Sequence, residues 1–81
     1  MRLPRDVSGR GLARLLSVFG YEVTRQTGGH MRLTTDEAGR HHLTIPAHDT
    51  LRVGTLAGIV TEVARHFSLD REQVVRRLFS R

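Results

Sequence analysis

An imidazole and two guanidinium groups bracket a glycine pair in the stretch Arg25-Gln26-Thr27-Gly28-Gly29-His30-Met31-Arg32. Imidazole exchanges protons close to neutral pH, because its reference pKa is about 6.5. Guanidinium presents a planar fork of donors that fits phosphate oxygens and stacks on bases. These residue types are suited to moving a proton beside an anion that is held in place. Whether they can do so depends on which way His30 points, and the surrounding elements decide that.

The totals bound the frame. A chain of 81 residues is expected to form one domain, 1–81, near the size where a single core is barely sufficient without a partner. It has no cysteine, so disulfides cannot help and nothing points to an oxidising compartment. The opening MRLPRDVSGR has no apolar h-region, and no run approaches the ~18 apolar residues of a membrane span. The expectation is a cytoplasmic protein with no membrane partner. All thirteen basic residues are arginine, against eight acidic ones, for a net charge of +5. That balance suits an anionic partner such as nucleic acid, and equally a solvated arginine-rich surface.

Hydrophobic spacing places the elements. Ser8 is a good N-cap, Val7 and Leu12 are spaced as a hydrophobic staple, and Leu12, Leu15, Leu16 and Phe19 recur on one helical face that Gly20 ends. Tyr21 to Thr27, His30 to Thr35 and Arg40 to Ile45 alternate with period two, separated by Thr27-Gly28-Gly29 and Asp36-Glu37-Ala38-Gly39. A second helix is predicted from about Thr55, with Leu56, Ile59, Val60, Val63 and Phe67 inward. A third begins at Asp70, where Asp70 and Gln73 form a capping box and Leu69 and Val74 a staple. The fold class is therefore α+β, in the order α-β-β-β-α(-α), with a three-stranded antiparallel sheet packed on one face by helices. The core spans about 7–67 and the C-terminal helix about 70–80.

Register follows from polarity. Pairing Gln26 with His30 and Thr35 with His41 gathers Tyr21, Val23, Met31, Leu33, Leu43 and Ile45 on one face. Glu22, Thr24, Gln26, His30, Arg32, Thr34, His42 and Thr44 gather on the other, and a slip of one residue would mix the sets. On this reading His30 points away from the core.

These residues also carry a resemblance. Gly20-Tyr21, Arg25-Gln26, Gly28-Gly29-His30, Pro46-Ala47-His48 and Gly54-Thr55-Leu56 follow one another in the order seen in the HicA family of toxin endoribonucleases, across roughly residues 7 to 66. The resemblance implies a double-stranded-RNA-binding-like fold, mRNA interferase activity and a cognate HicB-type antitoxin. It also implies a catalytic role for His30. The assemblies open to such a chain are a homodimer or a hetero-oligomer with that antitoxin. Many relatives carry serine where this chain has Gly29 and a second histidine where it has Met31.

The chemistry implied needs no metal or other cofactor, because RNA supplies its own nucleophile. A base takes the 2′-hydroxyl proton, the oxygen attacks the adjacent phosphorus in line, and donors stabilise the phosphoryl oxygens. His30 is the expected base or acid. Arg25, Gln26, Gly28, Gly29, Arg32, His48 and Arg52 are the expected RNA-binding residues. His48 either joins the site from the loop after Pro46 or braces that loop. His42 lies opposite Thr34, roughly 13 Å along from His30 at ~3.3 Å per residue. It is read as an RNA contact or a solvated side chain. His41 should be partly buried near a strand end. No two histidines show the spacing of a zinc site. The basic run Arg76-Arg77 is read as a solvated face, able with Arg81 to extend an RNA surface or a dimer contact. An alternative function is a non-catalytic RNA-binding module of the same shape; another is a protein-interaction domain whose basic face docks an acidic partner.

Overall fold

In a computed structural model that describes residues 2–80, Ser8 caps helix α1 (Gly9–Leu15) by accepting from the Gly11 amide at 2.9 Å. Met1 and Arg81, with the role considered for Arg81, lie outside the described residues. A 3-10 segment, Leu16–Phe19, tightens the exit of α1 and ends on Gly20 at φ +81°. The tightening turns Leu15 outward to 37% exposure, while Ala13 joins Leu12, Leu16 and Phe19 in the core. Gly9 has a different reason to lack a side chain. Its Cα lies against the Pro46 carbonyl, and its amide donates to the His48 carbonyl at 2.9 Å. The start of α1 is thereby fixed to the segment that leaves the sheet.

Strands β1 (Glu22–Thr27), β2 (His30–Thr35) and β3 (His41–Pro46) form an antiparallel sheet in the order β1-β2-β3. Helices α2 (Val53–Phe67) and α3 (Arg71–Phe79) follow, so the order is α-β-β-β-α-α. Met31, Leu33, Leu43 and Ile45 join Tyr21 and the helices in one core, which leaves the opposite sheet face open. Thr35 is the buried polar exception, and its hydroxyl donates to the Phe19 carbonyl at 2.8 Å while accepting from the Glu37 amide.

Thr35 pairs with His41 as the alternation predicts, but the first hairpin differs by one residue. Thr27 pairs with His30 and Gln26 with Met31, so Gly28-Gly29 is a two-residue turn. Gly28 alone of the two has a positive φ, +57°, the type II′ pattern that favours glycine at the first central position. Upstream, Val23 pairs with Leu33 and Arg25 with Arg32, leaving Thr24 as the extra residue of a β-bulge. The bulge keeps Glu22 and Thr24 on the open face while turning Arg25 onto it and Gln26 off it. An edge strand tolerates this, since only one neighbour must stay in register. Val23, expected in the core, is 48% exposed at that edge.

Helix α2 starts two residues earlier than predicted, with Arg52 at its N-cap and no side-chain cap. Leu56, Ile59, Val60 and Val63 are buried, and Phe67 packs against Phe19 with ring centroids 5.0 Å apart. The capping box of α3 is present in both directions, Gln73 amide to Asp70 carboxylate and Asp70 amide to Gln73 side chain. Arg77 is not merely solvated: its guanidinium lies 4.5 Å over the Phe19 ring, a cation–π contact. Among the described residues, no helix is long and apolar enough to cross a membrane.

Candidate active site

Residues that pair across the sheet share a face, so the open face can be read as three rungs. They are Thr27–His30–Pro46, Arg25–Arg32–Thr44 and Glu22–Thr34–His42, with the extra Thr24 beside the last. The first two rungs enclose a cleft of about 280 Å³ lined by Arg25, Thr27, His30, Met31, Arg32 and Thr44.

His30 is exposed, and among the described residues its ring makes no hydrogen bond to protein. Its position is nevertheless fixed. The Gly28-Gly29 turn sets the start of β2, and the Ala47 amide donates to the Gly29 carbonyl at 2.7 Å, tying the loop after β3 to the residue before His30. Arg25 and Arg32 stand directly opposite each other. Like charges in that relation are destabilising. Among the described residues the one ion pair is Arg40 with Asp36, at 2.9 Å on the second hairpin, so no carboxylate neutralises the pair. An oxyanion in the cleft would relieve the repulsion and accept from both forks.

The other expected residues are scattered. Gln26 lies on the helix side, in a hollow with Arg10, Ala13, Arg14, Val23 and Met31, because the bulge turned it away from His30. Gly28 and Gly29 form the turn at the cleft's end, and a Cβ on either would meet nothing within 4 Å. His48 is exposed in the loop and does not line the cleft, and it braces α1 through its carbonyl rather than its ring. Arg52 is exposed at the α2 N-terminus, also away from the cleft lining. Thr27 and Thr44 do line it and were not singled out in the sequence, although a tight Thr-Gly-Gly-His hairpin would have placed Thr27 opposite His30. Met31 is buried on the helix side, so a histidine at that position would not share the face of His30.

The remaining histidines are engaged. His42 Nδ1 lies 2.8 Å from the Thr34 hydroxyl on the open face. His41 is half-buried as expected, with Nδ1 2.8 Å from the Tyr21 hydroxyl and its ring stacked on His66 at 4.5 Å. His66 Nε2 lies 2.9 Å from both the Glu37 and Gly39 carbonyls, and since carbonyls only accept, this nitrogen carries the proton. Burial, and then the charge His66 can carry, lower the His41 pKa, with Glu62 pulling the other way. Burial and Glu62 together push Tyr21 up to about 12. Among the described residues, no three His, Cys, Asp or Glu side chains gather as a metal site would.

The cleft thus combines an exposed imidazole with two cations that have no anionic partner among the described residues. Residues 9–66, well over half of the chain, match the family model described as HicA toxin of bacterial toxin-antitoxin. Neither a curated protein nor a solved structure matches the chain.

Proposed function

The chain belongs to the HicA toxin family of bacterial toxin–antitoxin systems, and on that premise we propose that it is a metal-independent endoribonuclease that cleaves messenger RNA in the cytoplasm. His30 is its proton-transfer residue. The supporting observation is the first two rungs of the open face: an imidazole that, among the described residues, has no protein partner, beside two opposed arginines that no described carboxylate neutralises. The double-stranded-RNA-binding-like character implied by the resemblance agrees with the observed element order.

A phosphodiester seated between Arg25 and Arg32 places its oxygens on guanidinium donors and its ribose toward His30. His30 takes the 2′-hydroxyl proton, and the oxygen attacks phosphorus as the bond to the 5′-oxygen breaks. The phosphate becomes a 2′,3′-cyclic ester, and the departing 5′-oxygen takes up a proton to end as a hydroxyl. The arginines meet the charge that grows on the phosphoryl oxygens. Thr27 and Thr44 offer hydroxyls along the walls. Residues 1–81 act as one domain, with α3 covering the core rather than reaching the cleft.

An antitoxin of the HicB type would silence this site by covering His30 and offering carboxylates to Arg25 and Arg32, a charge match that also steers association. The test of the whole reading is wild type beside His30→Ala, incubated with RNA in EDTA. Wild type should cut, and the variant should lose about 10²–10⁴-fold in rate with an unchanged melting temperature. RNA bound by wild type but left intact would favour the non-catalytic module.

A further inference from the structure

The third rung of the open face carries a chain of hydrogen bonds that the cleavage step leaves unused. The Thr24 hydroxyl lies 3.3 Å from the Arg32 carbonyl, the Thr24 and Thr34 hydroxyls are 2.8 Å apart, and the Thr34 hydroxyl is 2.8 Å from His42 Nδ1. Each hydroxyl has one proton to give, and a carbonyl can only accept. One assignment satisfies all three contacts. Thr24 donates to Arg32, Thr34 donates to Thr24, and the Nδ1–H of His42 donates to Thr34. Neutral His42 is then fixed as the tautomer whose Nε2 has a free lone pair, on an exposed ring that shares the face of His30.

We propose that His42 Nε2 accepts a hydrogen bond from a ribose 2′-hydroxyl of bound RNA, so that this rung distinguishes ribose from deoxyribose beside the cleavage site. The inference rests on reading the chain as an endoribonuclease and names a contact of that substrate away from the reacting atoms. A lone pair needs a donor. The 2′-hydroxyl is one at every nucleotide, whereas an ionised phosphate offers none. Glu22 stands on the same rung across Thr34, and its charge repels phosphate while leaving a hydroxyl unaffected. Phosphate has its place on the neighbouring rung, between Arg25 and Arg32. Thr34 is four residues along β2 from His30, about 13 Å at ~3.3 Å each. That is the span of about four stacked nucleotides at 3.4 Å each. The ribose read by His42 therefore belongs to a flanking nucleotide, and its hydroxyl is not the nucleophile.

The proposal is tested at pH 8, where an ordinary imidazole is neutral. Cleavage is first removed with His30→Ala, and affinities for matched RNA and DNA strands of one sequence are then measured with and without His42→Ala. Loss of His42 should weaken RNA binding about five-fold, the factor of one ordinary hydrogen bond, and leave DNA binding unchanged. An equal loss on both strands, or no loss on RNA, overturns the proposal. Nitrogen-15 NMR of the histidine rings supplies a readout independent of RNA. His42 should carry its proton on Nδ1 in wild type and lose that bias in Thr34→Val, and a proton on Nε2 in wild type overturns the tautomer argument. If wild type cleaves RNA while either result goes against His42, this inference fails alone. If wild type neither binds nor cuts RNA, the endoribonuclease reading fails with it.

Discussion

His30 and the His41–His66 pair sit at opposite ends and on opposite faces of the same sheet, and they differ in what their ring nitrogens are already doing. His41 bonds to Tyr21 and stacks on His66, which donates to two carbonyls of the turn between β2 and β3. That corner is closed chemically: it fastens α2 to the second hairpin. At the other end, His30 stands outside the core beside guanidinium groups that face each other. There two like charges stand opposite each other, and an anionic ligand would relieve their repulsion. The lesson is that these histidines divide by their surroundings: His41 and His66 are spent on structure, whereas His30, exposed and without a ring partner among the described residues, lines the cleft with the two arginines and is the candidate for chemistry.

The sharpest way to break this comparison is to remove the cation beside His30. If Arg32 holds the phosphate as proposed, Arg32→Ala takes away a donor from the phosphoryl oxygens, and loss of one such donor typically costs about 10²–10³-fold in kcat. Stability should hold or rise slightly, because Arg25 loses a like-charged neighbour. Cleavage that survives Arg32→Ala undiminished, measured in single-turnover conditions, would place the phosphate elsewhere.

The opposite pattern is expected at the closed corner. His66→Ala frees two carbonyls to take water, at about 1 kcal/mol of lost hydrogen bonding. It also removes ring contacts with His41 and Phe67, about 0.5–1 kcal/mol more. A chain of this size should melt roughly 6–16 °C lower, with its rate on RNA unchanged at temperatures where it stays folded. A variant that melts normally but cleaves slowly would reverse the roles assigned to the two ends.

Much of this division was legible in the chain. The face of His30 follows from Met31 and Leu33, whose burial fixes the alternation of β2 whatever β1 does. Ser8, Asp70 and Gln73 announced their helix starts, and Thr35 facing His41 followed from the polarity of the two sheet faces. Strand β1 was not legible to the same degree. Val23-Thr24-Arg25 contains no residue that demands a bulge, and strict alternation therefore carried Gln26 to the open face and Arg25 off it. The register was decided by the Gly28-Gly29 turn, and the edge position of β1 let the surplus residue be absorbed. Contacts through loops, such as the Gly9 amide on the His48 carbonyl, left no signal in residue spacing at all.

The turn itself is the next and smaller test. Gly28 has a positive φ with open space around it, so Gly28→Ala is strained by backbone conformation rather than by collision. The expected loss is about 1 kcal/mol, read as a modest fall in the denaturant midpoint. Gly29→Ser has the same open space without the positive φ, and should leave stability unchanged within about 0.5 kcal/mol. If the two substitutions cost the same, His30 is not positioned by a turn of this type.

The smallest expected effect concerns pH, and its sign follows from His41. Burial, helped by the charge on His66 and opposed by Glu62, lowers the pKa of His41 in the folded chain. The unfolded chain, near the ordinary value of about 6.5, then binds the proton at a higher pH than the folded one does. Stability from this group is complete above that value and declines as pH falls through the lowered one. The melting temperature should therefore drop between pH 7.5 and 5.5. His41→Gln keeps an acceptor for the Tyr21 hydroxyl while removing the titration, so it should flatten part of that slope. An unaltered slope would mean that other groups set the pH response and that His41 contributes nothing to it. Cleavage followed over the same range should keep its profile in His41→Gln, because the proposed proton-transfer residue, His30, lies at the other end of the sheet.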